Sequence, residues 1–138
     1  MAANVTAIYP ITPIVVVGQT IQTANTAKDG TGTVVTVYTA GSNGSSPTAI
    51  LFRATGTNTA TVARIFINNG STNATAGNNT LIGEITLAAT TLSETSALAD
   101  YRWTFPDGFK LPSGYKVNIT IGTTVAATYA ITCYGGDY

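Results

Sequence analysis

The chain has 138 residues, of which 44% are hydrophobic and only 9% charged, and its six basic and six acidic side chains cancel. That length suits one domain with one core. A charge content far below the ~25% of an average soluble protein excludes a highly charged disordered chain and a coiled coil. His is absent and Cys occurs once, so no imidazole- or thiolate-based zinc site, Ser-His-Asp triad or Cys-His pair can be built within one chain.

In chain order, the first segment is residues 1–22. Val5, Ile8, Tyr9, Ile11 and the run Ile14–Val17 are apolar, but Pro10 and Pro13 remove backbone donors and resist a central strand. The pattern predicts an extended N-terminal arm or an edge strand. No membrane crossing is expected, because the longest aliphatic run is far shorter than the ~20 residues that span a bilayer. Met1-Ala-Ala-Asn-Val5 has no cationic leader of a secretory signal.

Residues 23–138 read as one β-rich domain. Asp29-Gly30, Asn43-Gly44 and Asn69-Gly70 mark turns. Segments 49–54 and 61–67 are apolar on both sides. Ile50, Phe52, Ile65 and Ile67 suit a core, which leaves Leu51, Arg53, Val62, Arg64 and Phe66 for a second face. An even-numbered hairpin loop would put both Arg on one side. Apolar anchors ringed by Arg are the composition of a protein–protein contact; the alternative is that residues 1–20 cover that face. A long polar loop follows at 68–79. Segment 80–87 alternates, with Leu81, Ile85 and Leu87 against Glu84 and Thr86. Thr91-Leu-Ser-Glu94 fits a capping box that permits a helical turn over 92–99; the alternative is an irregular crossover between sheets.

The C-terminal half alternates with period two, as a sheet with one buried face should. Tyr101, Trp103 and Phe105 oppose Arg102 and Thr104. Tyr115, Val117, Ile119 and Ile121 oppose Lys116, Asn118 and Thr120. Val125, Tyr129, Ile131 and Cys133 oppose Thr128 and Thr132. Turns at Pro106-Asp107-Gly108 and Pro112-Ser113-Gly114 separate them. Strands every 10–15 residues without a helical period predict an all-β, antiparallel sandwich or jelly roll, as a single domain.

Chemistry is sparse. Glu84, Glu94, Asp100, Asp107 and Asp137 could supply a glycosidase-type acid pair, but solvated turn and strand positions account for them. No phosphate-cradling loop, cofactor site or metal motif is found, and the scattered Lys and Arg do not form the clustered patch that nucleic acid requires.

The stretch Thr23-Ala-Asn-Thr-Ala-Lys-Asp-Gly-Thr-Gly-Thr-Val-Val-Thr-Val-Tyr-Thr-Ala-Gly41 resembles a segment of small structural proteins from tailed bacteriophages. So do Ala54-Thr-Gly-Thr-Asn58, Leu111-Pro-Ser-Gly-Tyr115 and Tyr134-Gly-Gly-Asp-Tyr138. The resemblance implies a non-catalytic virion component such as a capsid decoration (cement) protein or a head or tail accessory protein. On that expectation the chain is made in the host cytoplasm and works on the capsid surface. Its partner is the major capsid protein or another virion protein, and copies assemble as a small oligomer, a trimer by lattice symmetry. Contacts are expected at Val5, Ile8, Tyr9, Ile11, Ile14, Leu51, Arg53, Val62, Arg64 and Phe66. The rival expectation is a tail-fibre or head-fibre module binding a receptor or host glycan, with exposed aromatics in 106–114.

Overall fold

The computed structural model describes residues 9–138. Among these residues nine strands build two antiparallel sheets packed face to face, the sandwich that the alternating pattern predicts. The first sheet holds β1 (Thr12–Val15), β2 (Gln19–Ile21), β4 (Ser45–Ala54), β7 (Tyr101–Thr104) and β9 (Tyr129–Asp137). Its order is β1-β9-β4-β7, with β2 continuing β1 along the same side of β9. The second sheet, in the order β3-β8-β5-β6, holds β3 (Val35–Thr39), β5 (Thr61–Asn68), β6 (Asn79–Leu87) and β8 (Lys116–Ile121).

Alternation turns one row of each strand inward. Ile50 and Phe52 of β4 meet Ile131 and Cys133 of β9 on one side of the core, and Ala63, Ile65, Val117, Ile119 and Ile121 close it from the second sheet. Trp103 and Phe105 pack edge to face at 4.9 Å. The indole lies so close over Gly83 that a Cβ there would fall within 2.6 Å of its nitrogen. Among the described residues no α-helix forms, only a 3-10 turn at Ala76–Asn78. Residues 88–100 are the irregular crossover, and Ser93 Oγ accepts the Thr95 N–H at 3.2 Å where a capped helix would have begun.

The structure shifts two sequence-predicted patterns. The last strand starts at Tyr129, leaving Val125 buried in the loop before it, and runs on through Gly135 and Gly136. Those glycines fit because the backbone of Ser46 and Pro47 and the ring of Pro10 occupy the space of a side chain. In β6 the register slips between Ile65 and Phe66 of the facing strand, leaving Ile82 as the extra residue. A one-residue bulge flips the side chains beyond it, so Leu81 faces outward beside Phe66 while Leu87 stays in the core.

The N-terminal stretch is an edge strand rather than a free arm from Thr12 onward. Val16 N–H donates to Cys133 O at 2.9 Å and Ile14 sits opposite Gly135, so these residues point their amides at β9. Pro13 then presents its missing donor to the open edge, which blunts strand addition there.

Candidate interaction surface

β4 and β5 lie in different sheets, which corrects the expectation of one face shared by Leu51, Arg53, Val62, Arg64 and Phe66. The connection between them changes layers: Thr55 still bonds Thr128 of the first sheet, while Asn58 pairs with Thr90 after β6. Loop parity selects a side of a sheet, but it cannot select the sheet. Leu51 and Arg53 therefore belong to the outside of the first sheet, and Val62, Arg64 and Phe66 to the outside of the second.

The second sheet's outer face is covered by the chain's own residues 22–34. Asn25 N–H donates to Ile121 O at 2.8 Å at the end of β8. Gly30 rests against Asn79 at the start of β6, and the segment returns to β3 at Val35. It thus crosses over β8 and β5, and Phe66 beneath it is 0% exposed. Asn118 and Thr120 are buried there too, although their polar positions predicted solvent. The amide of Asn73 clamps the cover by donating to Gly30 O at 3.2 Å and Gly32 O at 2.7 Å. Arg64 donates from Nε to Glu84 Oε1 at 2.8 Å, and its side chain is 12% exposed. Val62 is half-buried. Phe66 and Arg64 are thus largely withdrawn from any partner.

On the first sheet the described residues leave the outer face open. Val15 pairs with Tyr134, which faces Ala49 on its other side, and Leu51 pairs with Arg102 and with Thr132. Residues directly opposite share a face, so Val15, Tyr134, Leu51 and Arg102 form one continuous surface across four strands. Val15 is 63% and the following Val17 73% exposed. The Arg102 side chain reaches across β4: its Nη2 donates to Tyr134 Oη at 2.8 Å, with the guanidinium 5.9 Å from that ring's centroid. Arg53 is ion-paired with Asp100, and both side chains are more than half exposed. An ion pair in that setting contributes little, about 0–1 kcal/mol.

Of the remaining sequence-predicted contacts, Val5 and Ile8 lie outside the described residues. Tyr9 and Ile11 are exposed just before β1. Ile14 turns the other way and packs against the core. Arg102 and Tyr134 were missed. The alternation did place Arg102 opposite Tyr101 and Trp103, hence outside. Its neighbour 32 residues away depended on β7, β4 and β9 lying side by side, which no local pattern encodes.

The carboxylates are dispersed. Glu84 holds Arg64 and Asp100 holds Arg53, while Glu94 and Asp107 lie in exposed loops. Asp137 accepts from Ser45 Oγ and from Tyr38 Oη (3.2 Å), tying the end of β9 to both sheets. Burial pushes the Tyr38 hydroxyl up to about 12 and the Cys133 thiol up to about 12, so Cys133 is a packed side chain and not a nucleophile. Among the described residues no group of three or more potential ligands clusters for a metal ion. In the 106–114 loop Phe109 leans on buried Phe105, ring centroids 5.2 Å apart. A groove of about 560 Å³ lies nearby, lined by Asn43, Lys110, Pro112 and Tyr138 among others. Comparisons of the chain with protein-family models, with curated proteins and with solved structures give no match.

Proposed function

We propose that this chain is a non-enzymatic virion structural protein of a tailed bacteriophage, a capsid decoration (cement) protein that binds the major capsid protein lattice. The observation that carries the reading is the difference between the two outer faces. One is roofed over Phe66, Asn118 and Thr120 by the chain itself, with Leu81 exposed at its margin, and the other carries exposed Val15 and Val17, half-buried Leu51 and Tyr134, and two exposed Arg. A contiguous apolar patch with a polar rim marks an interaction site. Tyr and Arg, both present on this face, are among the types that dominate binding energy at such sites. The strand order also supports it: with β1 and β2 counted as one interrupted edge strand, the sheets read 1-8-3-6 and 2-7-4-5, the winding of a jelly roll. Near-zero net charge suits a subunit destined for an assembly.

The protein binds the shell through the first sheet's outer face and the residues leading into β1, as a small oligomer around a lattice axis, after synthesis in the host cytoplasm. The test is occupancy on purified capsids that lack the protein, measured by sedimentation and gel densitometry. Val15→Asp combined with Leu51→Asp is expected to abolish decoration while the variant stays folded. Undiminished occupancy would overturn the reading.

A second reading, a fibre module binding a receptor or host glycan, is favoured by the groove at Tyr138. A Tyr ring beside an amide can hold a sugar on the face that Lys110, 5.4 Å over the other, leaves open. Saturable binding of host polysaccharide fragments, lost in Tyr138→Ala, would support it. The inward-turned Phe109 speaks against the loop aromatics on which that reading first stood.

A further inference from the structure

We infer that the open face recognises a carboxylate: an Asp or Glu side chain of the shell protein docks on Arg102, which projects from the edge strand β7 toward Tyr134. The inference rests on the decoration reading and specifies the partner's chemistry at one point of it. The guanidinium is set in place before any partner arrives. Leu51 stands opposite Arg102 in β4, and the side chain extends beyond it to Tyr134 in β9, where one hydrogen bond of 2.8 Å and the nearby ring hold it. A guanidinium carries five N–H donors in a fixed fork. Only Nη2 is engaged by the described residues, which leaves donors able to grip a planar anion in two parallel bonds.

Arg102 also makes no ion pair among the described residues, since Asp100, which lines the same hollow, is held by Arg53. The ion pairs among the described residues are Arg53 with Asp100 and Arg64 with Glu84. Residues 1–8 contain no Asp or Glu, so they cannot supply the missing anion. Arg53, on the same face, is already satisfied and serves as rim. Arg102 differs from it in the respect that makes a cation useful in binding: it is oriented by Tyr134 without being paired to an anion. A partner that covered Arg102 without a carboxylate would bury a lone charge, which is strongly unfavourable. A single cation in apolar surroundings is too sparse for a phosphate backbone, which calls for several.

The experiment compares wild-type protein, Arg102→Met, Tyr134→Phe and the Val15→Asp/Leu51→Asp double variant on two preparations of undecorated capsids. One is untreated; in the other, surface carboxylates are amidated with carbodiimide and ethanolamine. Arg102 is solvent-exposed, so Arg102→Met keeps the wild-type melting temperature. It binds untreated capsids roughly 10- to 100-fold more weakly, with a flatter dependence on salt. Tyr134→Phe loses a smaller factor, because the fork is then no longer held. Amidation weakens the wild type by the same factor as Arg102→Met and leaves Arg102→Met unchanged. Wild-type binding unaffected by amidation would overturn the inference. So would full binding by Arg102→Met while the double variant fails, which leaves the docking face standing. If the double variant also binds fully, the proposed function falls with it.

Discussion

The two outer faces of the sandwich are made of similar strands but end in opposite conditions. On the second sheet Phe66, Asn118 and Thr120 lie under residues 22–34. On the first sheet the equivalent rows have no such cover: Val15 is exposed, and Leu51 and Tyr134 are half-buried. The covering segment is mostly Thr, Ala and Gly with little apolar surface; the Asn25 amide ties it to itself at Thr31 and Thr33, and the Asn73 amide fastens it from the loop after β5. One sheet is thus completed by polar fastening of its own chain, whereas the other is left for something else to complete. An apolar face that a protein has the means to cover, and does not, is where a partner is to be sought.

The comparison can be broken most forcefully at Phe66. Phe66→Ala empties a fully buried site and should cost about 3–5 kcal/mol in chemical denaturation. Leu51→Ala on the open face should cost less, about 1–2 kcal/mol, since the half-buried side chain gives up only part of that area and leaves no sealed cavity. Equal losses would mean the two faces do not differ as described.

Next in size is Asp137→Ala. It orphans the buried Ser45 hydroxyl and the Tyr38 hydroxyl, and about 2–3 kcal/mol should be lost, since unsatisfied buried donors are costly. The same end of the molecule sets its alkaline limit. Tyr38 is raised from 10.0 to about 12 in the folded state. The unfolded chain therefore releases this proton first, and stability that is full below pH 10 should fall between pH 10 and 12. Cys133, raised from 9.0 to about 12, adds a loss of the same sign from pH 9 upward. An alkaline melting series on Tyr38→Phe should be flatter from pH 10 upward; an unchanged curve would contradict the assignment.

Asn73→Ala sharpens the comparison from the other side. Losing two amide-to-carbonyl bonds should cost about 1 kcal/mol and raise hydrogen exchange selectively in residues 22–34 and in the middle of β5. The smallest effect belongs to Arg53→Ala, at most about 1 kcal/mol, because its pair with Asp100 is solvent-exposed.

What the sequence disclosed was local. The alternations at 101–105 and 115–121 place their inward residues correctly, and Pro10 with Pro13 marks an edge strand. What it withheld depended on distant partners. Segments 49–54 and 61–67 each carry apolar residues on both sides, so their pattern is the same whether they share a sheet or face each other across the core. The bulge at Ile82 shows only as the apolar pair Leu81-Ile82 before Gly83, a break in the alternation that the pattern of 84–87 overshadows. The cover over Phe66 comes from a stretch whose composition looks like solvated loop. Half of the candidate face, Leu51 and Arg53, was visible; Arg102 and Tyr134 became neighbours only once three strands were laid side by side.

The central claim is that the outside of the first sheet is the contact face. A cryo-electron microscopy map of capsids saturated with the protein tests it directly. Density of the shell within contact distance of Leu51, Tyr134 and Arg102, with Val62 and residues 22–34 facing solvent, is the predicted result. A molecule seated on the shell through its second sheet, or a shell that stays bare at saturating protein, would contradict it.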